Sequence, residues 1–182
     1  MNEVISNNLT GKVLIASPYT MNGNIFHKSI IYVLSHTPNG AVGLIVNHKV
    51  NNIDLNSVFK GILKEIEQLP LPIHLGGPVE MSRGFFLRIN ETSPINQPSI
   101  SSSNEILDEI NGGELPKQSL FVMGYTGWTS GQLEFEIENN LWIVDDYRPS
   151  IIFNEEDENK WNVALQNLGI NDASFASIVG HS

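Results

Sequence analysis

Apolar residues along this chain gather in short runs of four to six, broken by glycine, proline and small polar residues. Lys12 to Ala16 (KVLIA) is the first run, and Ser17-Pro18 stops it. Ser29 to Leu34 and Ala41 to Val46 are rich in β-branched residues, which suit a pleated, half-buried surface. Thr37-Pro38-Asn39-Gly40 between them is turn chemistry, so the two runs are predicted to be antiparallel neighbours in a hairpin. Ile73 to Leu75, Phe85 to Ile89, Leu120 to Met123 and Leu141 to Val144 are further strand candidates. Gly76-Gly77-Pro78 reads as a turn between two of them, and Thr92 to Ser103 as a Ser/Pro-rich loop with room for one short strand.

Helical spacing occurs in fewer places. From Asp54 onward, Leu55, Val58, Phe59, Ile62, Leu63 and Ile66 recur with the period of a helix, and Pro70 and Pro72 end it. Ser102 with Glu105 makes a capping box for a short helix closed by Gly112-Gly113. Thr129 with Gln132 makes another, opening a short helix through Leu133, Phe135 and Ile137. Trp161, Ala164, Leu165 and Leu168 define the last helix, ended by Gly169. Its acidic start, Glu155-Glu156-Asp157-Glu158, reads as carboxylates filling the positive first turn behind an Asn154 cap rather than as a metal cluster. Strands and helices do not strictly alternate and a hairpin is present, so the fold class is α+β, as one domain over residues 1–182.

The segment from Phe121 to Trp142 is where a site is expected. An apolar strand runs into Gly124, Gly127 and Gly131, set around Tyr125 and Trp128, and then into the helix start at Gln132. A glycine-rich turn lets backbones approach closely and leaves N–H groups free, and a helix start favours negative charge. This turn is expected to meet Gly76, Gly77 and Pro78 and the strand end at Ser17. Trp128 would then form a wall, with Thr129, Ser130 and Gln132 as polar contacts. The competing reading is that these glycines only let strands cross and pack. Gly127 to Gly131 has the outline of a nucleophile elbow, but Thr129 occupies the nucleophile's place and reads as the helix cap. The glycine spacing fits neither GxGxxG nor GxxxxGK[ST], which argues against dinucleotide or P-loop phosphate binding.

Composition narrows the chemistry. With 182 residues, 41% hydrophobic and 16% charged, the chain can bury a sizeable core as a soluble globular protein. No apolar run approaches the roughly 20 residues that span a bilayer, and the N-terminus lacks a secretory pattern. The absence of cysteine excludes disulfides, thiolate metal sites and a cysteine nucleophile, and with the rest favours the cytoplasm. A net charge of −10 with scattered basic residues argues against direct nucleic-acid binding. The five histidines are far apart and form no HExxH pair, so no metal and no cofactor is expected.

Several blocks in order resemble the YqgE/AlgH family of bacterial proteins. They are GKVLIASP from Gly11, SIIYVLSHTPNGAVGLIVNH from Ser29, HLGGPVEMSRGFFLR from His74, FVMGYTGWTSGQLEFEIENNLW from Phe121 and KWNVALQNLGI from Lys160, with Gly180-His181 near the end. The resemblance covers nearly the whole chain. It implies a branched mixed sheet, partly curled into a barrel around a central hairpin and surrounded by helices. Two departures stand out: Leu34-Ser35 precede the hairpin His36, and His48-Lys49 follow Asn47 where the family carries Arg-Pro. Loss of the guanidinium fork weakens any anion site there. The family supplies no established catalytic residues. Its link to alginate regulation implies a regulatory role, and the reading is a non-enzymatic protein that binds a small molecule or a protein partner. The candidate contacts are the residues named above together with His36 and Asn47. The enzymatic alternative is a hydrolase or transferase pairing Thr129 or Ser130 with His36.

Overall fold

The computed structural model describes residues 8–18, 23–50, 72–90, 92, 98–102 and 118–170. The helices predicted from Asp54 and from Ser102 lie outside the described residues, as does His181. Eight strands are described: β1 (Lys12–Ala16), β2 (Ile30–Thr37), β3 (Gly40–Ile45), β4 (Ile73–Leu75), β5 (Val79–Ile89), β6 (Pro98–Ser102), β7 (Ser119–Thr129) and β8 (Trp142–Asp146). Helix α1 (Gln132–Glu138), a five-residue π-helical turn (Ser150–Asn154) and helix α2 (Asp157–Asn167) complete the order.

The strands form one curled half-barrel sheet in the order β6-β5-β7-β3-β2-β1-β8, with β4 branching off β7. All pairings on this path are antiparallel, and β4 runs parallel to β7. The predicted hairpin is present: Thr37 pairs with Gly40 across Pro38-Asn39, and a register shift between Val33 and Ser35 bulges β2.

The sheet is covered on both faces, which is why its strands read as continuous apolar runs. Side chains alternate across a strand, so Val13 and Ile15 enter one cluster while Leu14 and Ala16 enter the other. The first cluster continues through Tyr32, Leu44 and Val122 to Trp161 and Leu165 of α2. The second continues through Ile31, Ile45 and Trp128 to Leu133 of α1 and Trp142 of β8.

Two predicted boundaries are corrected. The segment Gly124 to Thr129 is strand, not turn, because β7 runs on to Thr129 and pairs its last residues with Gly40 to Gly43 of β3. β7 therefore belongs to two pairings, with its N-terminal half against β5 and β4 and its C-terminal half against β3. Gly124 lies at the fork with φ +72. There the alternation reverses: Leu120 and Val122 fill the first cluster, whereas Trp128, of the same parity, fills the second. Second, β5 begins at Val79 rather than Phe85. Residues 80–83 are exposed and bulge off β7, since Val79 pairs with Tyr125 and Gly84 with Met123. The polar bulge hid the strand's first half from the apolar pattern.

Helix caps also differ from expectation. Gly131, at φ +74, is the N-cap of α1, not Thr129, although the Gln132 side chain does reach back to the Thr129 N–H at 3.0 Å. Glu156 caps α2, and Asn154 ends the π-helical turn, where its side chain accepts a hydrogen bond from Gln118.

Candidate functional site

The C-terminal half of β7 and α1 enclose a cleft of about 410 Å³. β7 contributes Thr126, Gly127 and Trp128, and α1 contributes Gln132 and Glu136. Leu141 and Trp142 close one side, Pro78 and Val79 form a lip, and Asn24 and Phe26 come from the segment before β2.

One carboxylate organises the wall. Glu136 Oε2 accepts hydrogen bonds from the indole N–H of Trp128 at 2.8 Å and of Trp142 at 2.7 Å. Its Oε1 accepts from Gln132 Nε2 at 2.9 Å. A seven-residue helix anchored by the buried Leu133 thus ties two strands' tryptophans to one half-buried acid. The rings meet edge to face, Trp128 with Trp142 at 6.1 Å and Trp142 with Phe26 at 5.8 Å, the arrangement that aromatic quadrupoles prefer. Both indoles are almost fully buried, so satisfying their N–H groups is the condition for packing them there.

Of the residues singled out from the sequence, Pro78, Gly127, Trp128 and Gln132 line this cleft. Gly76 and Gly77 do come against β7. Gly76 N–H donates to Met123 O at 2.7 Å, and a side chain at Gly76 or Gly77 would overlap the backbone of Gly124 or Tyr125. Those contacts hold strands together beside the cleft. Tyr125 lies on the other face, packed edge to face on Phe85. Ser17 is buried, and its N–H donates to Leu141 O at 3.0 Å. Asn47 ties the hairpin to the chain before it, accepting from Ile30 N–H and donating to Lys28 O, both at 2.8 Å.

The enzymatic constellation is not assembled. His36 is buried, with Nδ1 accepting from Leu9 N–H at 3.1 Å and Nε2 paired with Glu134 Oε1 at 2.9 Å. Glu134's own backbone N–H, and then His36, hold that carboxyl below the usual range against the cost of burial. Ser130 Oγ donates to Pro38 O at 2.6 Å, and Thr129 Oγ1 donates to Gln132 Oε1 at 3.2 Å. Neither hydroxyl is bonded to the imidazole.

Sequence reasoning missed a second polar cluster, on the other face. His74 is fully buried, with Nε2 2.9 Å from Asp157 Oδ2 and Nδ1 3.3 Å from Phe121 O. Asp157 Oδ1 also accepts from the buried Lys160 Nζ at 2.6 Å, and that ammonium donates to Val46 O at 3.0 Å. Burial pushes the Asp157 carboxyl up, but His74 and Lys160 outweigh it and bring it down to about 2. Asp157 thus binds the start of α2 to β4, and Lys160 binds the same helix to Val46 just beyond β3. The i,i+3 spacing of Asp157 and Lys160 is visible in the sequence, whereas His74 lies 83 residues away. Among the described residues no group of three or more His, Cys, Asp or Glu side chains is placed to hold a metal ion.

Fold and cleft together define a class, a curled α+β half-barrel with an aromatic cleft beside its shared strand. The chain belongs to the family described as AlgH-like (DUF179), whose profile matches residues 13–173. UPF0301 protein RP032 of Rickettsia prowazekii is 47% identical over the full length of both chains, and RT0098 of Rickettsia typhi is 46% identical over the same span. The solution structure of the AlgH protein from Pseudomonas aeruginosa superposes with a TM-score of 0.73 at 29% identity, covering 100% of this chain and 98% of that one. Protein DIP2367 from Corynebacterium diphtheriae shares the fold, with a TM-score of 0.63 at 21% identity over 86% of this chain and 85% of that one.

Proposed function

We propose that this chain is a cytoplasmic binding protein, regulatory rather than catalytic, whose site is the cleft between β7 and α1. The supporting observation is the wall of Trp128, Trp142 and Phe26, with both indoles held by Glu136. A preformed cleft of this size, part apolar and part polar, suits one small molecule or one side chain of a protein partner. Among the described residues the lining offers hydrogen-bond donors and acceptors but no nucleophile hydrogen-bonded to a base, which suits holding a ligand rather than transforming it. Direct nucleic-acid contact has no part in this reading, because the charge is −10 and no cation lines the cleft among the described residues.

Native mass spectrometry of protein purified gently from its host tests the proposal. The wild type is expected to carry a bound mass that Phe26→Ala and Gln132→Ala lose while melting as folded proteins. Retention of the same mass by both folded variants would place binding elsewhere.

A further inference from the structure

We infer that the cleft takes a guanidinium group. This rests on the binding reading above and names the chemistry of its ligand. Among the described residues, Glu136 is the one ionised side chain in the lining, and no Lys, Arg or His lines the cleft with it. An anion entering there meets a carboxylate with no compensating cation, whereas a cation meets a partner. The walls point the same way, since the partly exposed Phe26 ring lines the cleft beside the two buried indoles and aromatic faces attract cations. Glu136 has accepting capacity left. Oε2 takes both indole N–H groups, while Oε1 takes only the Gln132 amide and keeps a lone pair for one more donor. A planar guanidinium can lie on the partly exposed Phe26 ring and still donate in its own plane, a flat fit that a compact ammonium makes less well. The net charge of −10 adds a long-range bias toward cations.

The group can arrive on a small molecule or on an arginine side chain of a protein, and peptide probes separate these sources. N-acetylargininamide, the peptide acetyl-Gly-Gly-Arg-Gly-Gly-amide and its citrulline counterpart are titrated into the full-length protein, following the indole N–H resonances of Trp128 and Trp142. Both arginine probes are expected to shift those resonances saturably, and the neutral citrulline peptide to bind at least tenfold more weakly. Equal affinity of the two arginine probes assigns the ligand to a small molecule; a tenfold advantage of the peptide assigns it to a protein partner. Glu136→Gln keeps a carbonyl acceptor for the indoles and should weaken arginine binding at least tenfold. Citrulline binding as tightly as arginine would overturn the guanidinium assignment and leave the binding reading standing. No saturable shift by either arginine probe at millimolar concentration would also overturn the assignment, and loss of the co-purified mass would remain the separate check on the cleft itself.

Discussion

At the scale of single residues, neighbouring glycines of β7 and its partners differ in what they permit. A Cβ at Gly76 would overlap Gly124 O, so Gly76→Ala forces two backbones apart and should cost at least about 2–3 kcal/mol. A Cβ at Gly127 would meet nothing closer than Ala41 O at 3.9 Å, and its φ is not positive. Gly127→Ala should therefore be neutral or stabilising by up to about 1 kcal/mol, through lower freedom in the unfolded chain. Urea midpoints of the two variants decide the matter, and equal losses would refute the distinction. Asp157 offers a pH test. Its folded value is about 2 against 3.8 for the free group, so its contribution is fully present above the free value and disappears as pH falls from there toward 2. The contribution is on the order of 2 kcal/mol. Urea midpoints of wild type and Asp157→Asn should differ at pH 6 and converge near pH 2; a constant gap would mean that the pair does not carry the shift.

At the scale of elements, α1 is short and hangs on one fully buried side chain, Leu133. Leu133→Ala should cost about 2–5 kcal/mol and release Glu136 from the indoles. Tryptophan emission should then shift to the red in the folded variant; unchanged emission would show that Glu136 stays in place without its anchor. The elements also show why some of the fold was legible and some was not. β1, the hairpin, β4 and α2 announce themselves because local pattern and tertiary role agree. β7 does not, because Gly124 and Gly127 look like turn residues when the strand is read alone. The fork and the approach of Gly77 require glycine at Gly124, a long-range fact, whereas nothing in the structure requires it at Gly127. The same holds for the cleft. Gly127, Trp128, Gln132 and Pro78 lie in conspicuous local motifs, while Asn24, Phe26, Glu136 and Trp142 are ordinary residues until the fold assembles them.

At the scale of the whole molecule, pairing within the sheet predicts where the protein opens. β2, β3 and β7 are flanked by strands on both sides, whereas β6 and β8 end the sheet order. Amide hydrogen exchange should be slowest in β2, β3 and the middle of β7, and fastest among the strands in β6 and β8. Equal protection of edge and centre would mean that the described sheet order does not govern opening. The shared strand has a further consequence, for errors of assembly. Sliding a strand by one residue exchanges its inward and outward side chains. In β7 such a slide would turn Val122 out of one cluster and Trp128 out of the other in the same event. A misaligned β7 therefore fails two independent inspections rather than one, and neither half of the sheet can settle on a wrong alignment while the other is satisfied. The fork works as a proofreading device written into the covalent chain.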